Sequence, residues 1–284
     1  MILGGTGRMG RWFTNFFKEK GFDVAIFSRS RNRALQASRE LDVNYIQSLT
    51  AVNEADIVLV STSLESTVAI IREVSKSMKP NSILFDIASI KSGVIEALED
   101  AHTLGIRTIS IHPMFGPGTT SIKGKHLLVI PVGDDPKLVT EMINLFKDAQ
   151  IHILKSGKTH DELMAIALSL PHFLNIVFGK ILTHSDLKEI MKVSGTTFAL
   201  QLLVTEAVYS EDPELYYEIQ SHNLAFANLL DEFLKSVTDA TFIIKRKDKA
   251  AFIRSFNQVK TELSKDPNFM HAYHRFYRAY ETTI

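Results

Sequence analysis

The 284-residue sequence has no cysteine and a single tryptophan. Without cysteine there can be no disulfide framework, thiolate nucleophile, iron–sulfur cluster or cysteine-held zinc. Net charge is absent as well, since 32 Lys and Arg balance 32 Asp and Glu. That balance removes the electrostatic case for a nucleic-acid or anionic-membrane partner. Apolar runs of roughly 18 residues, the length that spans a bilayer, are also missing, and Met1 leads into glycines rather than a signal peptide. The expectation is therefore a soluble, cytoplasmic protein. What remains is ordinary globular material. With 45% hydrophobic residues the chain can bury a sizeable core, and its length, near twice that of a typical domain of about 150 residues, predicts two domains.

The first half alternates two textures. Short apolar runs at Met1–Leu3, Val24–Phe27, Ile57–Val60, Ile83–Phe85, Thr108–Ile111, Leu127–Ile130 and Ile151–Leu154 read as buried strands. Helical spacing fills most intervals, beginning with Trp12, Phe13, Phe16 and Phe17 between Arg11 and Lys20, which Gly21 ends. Strand–helix alternation of this kind builds a parallel sheet from βαβ units. From Thr159 onward the pattern becomes helical throughout. One long helix, interrupted by Pro171, runs from Thr159 to Thr183, and three more cover Phe198–Val208, Pro213–Lys235 and Lys247–Leu263. The reading is an α/β chain with a doubly wound parallel sheet in residues 1–155 and an all-helical domain in 156–284. Helices apolar on more than one side need a second surface to cover them, which predicts a homodimer through the helical half.

Gly5-x-Gly7-x-x-Gly10 joins the first strand to the first helix. The first glycine permits a tight turn, the second lets backbone approach a pyrophosphate, and the third packs helix against strand. The helix N-terminus then offers N–H donors to phosphates. A Rossmann-type dinucleotide site follows, with Gly5, Thr6, Gly7, Arg8, Met9 and Gly10 as its phosphate loop and Ser61 and Asp86 at neighbouring strand ends. Only three residues precede the glycine loop, fewer than the usual five or six of a central strand, so either the strand is short or native residues precede Met1. An NAD site places an acid at the end of the second strand. Here the sequence is Phe27-Ser28-Arg29-Ser30-Arg31, with no acid. Arg29 can pair with a 2′-phosphate while Ser28 or Ser30 hydrogen-bonds it, so NADP is expected in preference to NAD.

Two further strand exits carry chemistry. Asp86-Ile87-Ala88-Ser89-Ile90-Lys91 follows one strand and His112-Pro113-Met114-Phe115-Gly116-Pro117 another. In a hydride-transfer enzyme, a neutral His112 can accept the proton of a hydroxyl as hydride leaves, with Ser89 bonding that hydroxyl or the nicotinamide. His271 and His274 lie three apart on a helical stretch without a third ligand, so no metal site is expected. His160-Asp161 reads as a cap at a helix start, and the basic run Lys245–Lys249 as a solvated helix entry.

On these residues the chain resembles the prephenate dehydrogenase family of tyrosine biosynthesis. The likeness rests on the glycine loop, Asp86–Lys91, His112–Pro117, Thr159-His160-Asp161, Leu170-Pro171-His172-Phe173 and Asp212–Tyr216. It implies oxidative decarboxylation of prephenate to 4-hydroxyphenylpyruvate. In that role His112 accepts the hydrogen bond of the ring hydroxyl, Ser89 orients it, and His172 lines the substrate pocket. Two positions depart from the family. Its substrate-carboxylate Arg, five residues before the Asp-Pro step, is Ala207 beside Glu206, and a second His, three positions before His172, is Ser169. Lys123, Lys125 or a residue of a dimer partner would have to supply the missing cation. Glu206 instead suits the amino group of arogenate. The remaining alternative is a catalytically idle NADP-binding sensor.

Overall fold

The computed structural model of the chain describes residues 1–282. It divides into two compact units, Met1–Met164 and Ala165–Ile284. The first unit keeps helix Gly157–Met164 with the sheet, past the expected boundary at 155.

In the first unit, β1 (Ile2–Leu3), β2 (Ala25–Phe27), β3 (Asn44–Tyr45), β4 (Ile57–Val60), β5 (Ile83–Asp86), β6 (Arg107–Pro113), β7 (His126–Pro131) and β8 (Gln150–Ile153) form one sheet of order β3-β2-β1-β4-β5-β6-β7-β8. Every pairing is parallel except β6 with β7. That exception has a simple cause. The link between β6 and β7 contains no helix, and a parallel return needs a crossover. β3 is absent from the apolar runs because it is two residues long and pairs on one side only, so it needs no continuous hydrophobic stretch. Chain order reverses between β1 and β4, and in open α/β sheets the strand ends at such a point form the ligand crevice.

Alternating residues of each strand feed two cores. Leu59, Phe85, Ile109 and Ile111 pack with Phe13, Phe16 and Phe17 of α1 (Arg8–Glu19) and with Met142 of α5 (Pro136–Leu145). Val58, Val60 and Leu84 pack against Ile71 of α3 (Leu64–Val74) and Leu98 of α4 (Val94–Thr103) on the other face. Burying each such large side chain contributes about 1.5–3 kcal/mol. Helix α2 (Arg31–Leu41) follows β2, and α6 (Gly157–Met164) follows β8.

The second unit is entirely helical. A π-helical turn, Ala165–Ser169, leads into α7 (Leu170–Leu182), followed by α8 (Leu187–Val193), α9 (Thr196–Tyr209), α10 (Pro213–Ser221), α11 (Leu224–Lys245), α12 (Lys249–Leu263) and α13 (Ala272–Glu281). Pro171 sits in the first turn of α7, where its missing N–H costs nothing. The single helix expected over Pro213–Lys235 is two, because the Asn223 side chain accepts from the backbone N–H of Phe226 and starts α11 afresh. The basic run likewise spans a break: Lys247 has φ 55° and Asp248 caps α12. Inside the unit, Asn175 Oδ1 accepts from Gln201 Nε2 and Thr205 Oγ1, each at 2.8 Å, tying α7 to α9.

Joined end to end, α6, the π turn and α7 make a 26-residue helical stretch, Gly157–Leu182, with mean hydropathy 1.6. The sequence reading found no run long and apolar enough to span a bilayer; by length and composition this one is, and 17% of its apolar window is buried. Many large apolar side chains of the second unit are exposed, among them Val193, Leu224, Phe242, Phe256, Met270 and Tyr273.

Candidate active site

The glycine loop is built by close backbone approach. Gly4 carries the left-handed conformation (φ 88°), and a Cβ there would lie 2.1 Å from the carbonyl oxygen of Ser61. Sequence reading passed over Gly4, which lies outside the three-glycine spacing. The N–H groups of Gly4 and Gly5 both donate to the carbonyl of Phe27, at 3.0 and 3.2 Å, and clamp the loop to the end of β2. A Cβ on Gly10 would meet the Gly4 oxygen at 2.3 Å. Gly7 is the N-cap of α1 and supplies no side-chain acceptor, and the first turn holds no acid. The N–H groups of Met9 and Gly10 in that turn are thus left for an external anion, as a dinucleotide phosphate requires. Ser61 sits at the end of β4, its N–H bonded to the Leu3 carbonyl at 2.8 Å. These features fit a pyrophosphate.

Beside this cradle, Thr6 Oγ1 donates to Ser28 Oγ at 3.1 Å. Arg29 is exposed and so are Arg31 and Arg33. Ser30 takes on a structural duty, its Oγ accepting from the Arg33 N–H as the cap of α2.

At the end of β5 the structure corrects one expectation. Asp86 is fully buried and its carboxylate is consumed by the chain itself. Oδ2 accepts from Lys91 Nζ and the Ala88 N–H, both at 2.7 Å, and Oδ1 from Ser110 Oγ at 2.5 Å. Asp86 therefore shapes the loop that carries Ser89 rather than touching a cofactor. Lys91 is equally buried, and its Nζ also donates to the Ile111 carbonyl at 2.8 Å. Burial pulls this ammonium below the ordinary lysine range, opposed by Asp86 and Asp161. Ser89 lies half-buried within the loop.

Next to it, at the end of β6, stands His112. Its ring is buried, with Nδ1 2.9 Å from Nε2 of His160 on α6. His160 Nδ1 lies 2.8 Å from Asp161 Oδ1. Asp161 in turn accepts from the backbone N–H groups of Lys91 and Ser92, at 2.8 and 3.0 Å. Desolvation holds His112 well below the usual imidazole range, helped by His160 and Lys91. His160 is lowered too, chiefly by burial. The loop after His112 is pinned by Trp12, whose Nε1 donates to the Thr119 carbonyl at 2.7 Å and whose ring meets Phe115 at 5.1 Å. Lys123 and Lys125 are exposed on the approach to β7. Because β7 runs antiparallel, with His112 opposite Leu128, that approach lies at the same sheet edge as His112.

Two family models divide the chain between them. One, "Prephenate dehydrogenase, nucleotide-binding domain", matches residues 13–155, and "Prephenate dehydrogenase, dimerization domain" matches 156–258. The chain belongs to the prephenate dehydrogenase family. Among curated relatives, a probable arogenate/prephenate dehydrogenase of Methanocaldococcus jannaschii is 30% identical over 89% of this chain, and the T-protein of Enterobacter agglomerans 27% over 92%. This chain spans 58% and 66% of their lengths. The prephenate dehydrogenase of A. aeolicus, solved with hydroxyphenyl propionate and NAD+, shares the fold at a TM-score of 0.76 and 20% identity, covering 93% of this chain and 96% of that one. The nucleotide-binding match begins at Phe13, past the glycine loop, so the loop's assignment stands on its own geometry.

Of the other residues that the family likeness singled out, His172 lies in the second unit, in the first turn of α7. Its ring meets Tyr216 edge-on at 4.9 Å, burial lowers its pKa, and its Nδ1 is buried without a hydrogen-bond partner among the described residues. Ser169 is buried and its Oγ donates to the Ile219 carbonyl at 3.4 Å. Glu206 and Ala207 are exposed on α9. Sequence reading gave His160-Asp161 both as part of the family likeness and as a helix cap. The carboxylate reaches out of its helix to the backbone N–H groups of Lys91 and Ser92. Among the described residues no group of three His, Cys, Asp or Glu is arranged to hold a metal ion.

Proposed function

We propose that this chain catalyses the NADP-dependent oxidative decarboxylation of prephenate to 4-hydroxyphenylpyruvate, a step of tyrosine biosynthesis, in the cytoplasm and as a homodimer. The observation that carries the reading is His112. It is buried, neutral and at a strand end of the nucleotide-binding sheet, and its Nε2 makes no hydrogen bond among the described residues. A base held neutral by burial suits a substrate hydroxyl whose proton must be accepted while hydride leaves the same carbon. NADP, when bound, supplies the hydride acceptor. Gly5, Gly7, Gly10 and the first turn of α1 would hold its pyrophosphate, and Arg29 with Ser28 its 2′-phosphate. Support for NADP is the exposed Arg29 and the acid-free first turn of α2, although the A. aeolicus relative was solved with NAD+.

The chemistry asks little more of the protein. Hydride leaves C4, the C4 hydroxyl proton passes to His112, and the bond from C1 to the carboxylate breaks. Its electron pair aromatises the ring as CO₂ departs, and the phenolic oxygen regains a proton. Positioning by Ser89 supplies the rest. Arogenate is the second reading, favoured by Ala207 and Glu206 where a carboxylate-binding Arg is expected. Prephenate and arogenate, each with NADP and with NAD, are to be assayed by absorbance at the NADPH band. Turnover is expected fastest with NADP, and none under all four conditions would overturn the reading.

A further inference from the structure

We propose that His160 and Asp161 are positioning residues that fix the tautomer of His112, so that Nδ1 carries its proton and Nε2 faces the reaction as a bare acceptor. The inference deepens the proposed function and rests on it for the identity of the proton donor, but not for the tautomer itself.

The argument runs outward from Asp161. Its carboxylate receives N–H groups from Lys91 at 2.8 Å, Ser92 at 3.0 Å and the His160 ring at 2.8 Å. An ionised carboxylate only accepts, so His160 Nδ1 must be the donor. A neutral His160 then has its lone pair on Nε2, 2.9 Å from His112 Nδ1, which must in turn donate. Neutral His112 is left with its lone pair on Nε2. The rival arrangement needs a resident imidazolium at His160, which would donate to His112 Nδ1 and put the proton on Nε2, closing the base. The surroundings disfavour it. His160 is fully buried, and although the carboxylates of Asp161 and Asp86 favour the charged ring, desolvation with the Lys91 ammonium outweighs them and holds the ring below the ordinary imidazole range.

The relay also has a part in the proton's round trip. As the substrate O–H bond breaks and the His112 Nε2–H bond forms, His112 holds two protons, and its Nδ1–H strengthens its bond to His160, which is backed by Asp161. When the ring oxygen becomes phenolic, the Nε2 proton returns to it and the pair resets. Nothing leaves the chain of acceptors.

Two measurements test this. Long-range ¹H–¹⁵N spectra of the wild-type protein labelled with ¹⁵N-histidine should show His112 protonated at Nδ1 and bare at Nε2. A His112 protonated at Nε2 would overturn the proposal whatever the substrate, with no variant needed. Kinetically, His160→Leu should lower kcat roughly 10- to 100-fold, part of the 10²–10⁴ that a positioned base contributes, with KM for the substrate changing less. His160→Gln, whose amide oxygen can still accept from His112, should recover part of that loss. A His160→Leu enzyme with kcat within twofold of wild type sinks the relay. Absence of turnover in the wild type would count against the proposed function, while the spectra would still decide the tautomer.

Discussion

The burial that keeps His112 neutral also sets its working range. An imidazole in water titrates near 6.5, and here desolvation with His160 and Lys91 pushes the group well below that. The acid limb of kcat/KM is therefore expected below the free-imidazole value, and a limb above pH 6.5 would contradict the buried geometry. Stability follows the same sign. His112 and His160 bind protons more readily unfolded than folded, so their contribution is complete above about pH 6.5 and is lost as pH falls toward their depressed folded values. The His112→Asn variant should lose about 10²–10⁴ in kcat while binding NADP normally, as seen by fluorescence titration; unchanged turnover would remove His112 as the base. Arg29→Ala should raise KM for NADP far more than for NAD, and an equal rise would remove the 2′-phosphate role. Lys91→Met strands the Asp86 charge in the interior, a loss of about 3–5 kcal/mol that chemical denaturation would measure.

At the scale of elements, the phosphate loop shows how far sequence reasoning reaches. Gly5, Gly7 and Gly10 could be read from spacing because each answers to a rule of backbone approach. Gly4 could not, since what demands a glycine there is its left-handed conformation and the close approach of the Ser61 carbonyl from a distant segment. The long strands and helices were legible because burial writes a period into the sequence. β3 and the break between α10 and α11 were not, the one being too short for a period and the other resting on a single capping side chain. Asp86 was misread for a related reason: an acid at a strand end looks the same whether it meets a ligand or Lys91. Gly10→Ala brings a methyl to 2.3 Å from the Gly4 carbonyl, so α1 must shift. A loss of about 1–3 kcal/mol in stability, with NADP affinity falling alongside, is expected by calorimetry.

For the whole molecule, the uneven distribution of apolar surface is the guide. The sheet unit buries most of its large apolar residues, whereas the helical unit leaves many exposed, Leu224, Phe242, Phe256 and Tyr273 among them, in a region matched by or next to a family dimerization domain. So many large apolar side chains left exposed call for a second surface to cover them. The proposed homodimer should elute at twice the chain mass in sizing, and its Tm should rise with protein concentration through mass action. A monomer at micromolar concentration, with a Tm independent of dilution, would refute it. The helical half announced this need in the sequence, through helices apolar on several sides, but not the pairing geometry, which depends on a second chain.

Lys91 has a consequence for engineering. Its ammonium holds Asp86 and the carbonyl of Ile111, one residue before the base, while its backbone N–H holds Asp161. Three chain segments thus share one fastener. A designer who wished to graft this base onto another nucleotide-binding scaffold could not move His112 alone. Asp86, Lys91, Ser110, His112, His160 and Asp161 would have to travel as a block, which makes the base a transplantable module rather than an isolated side chain.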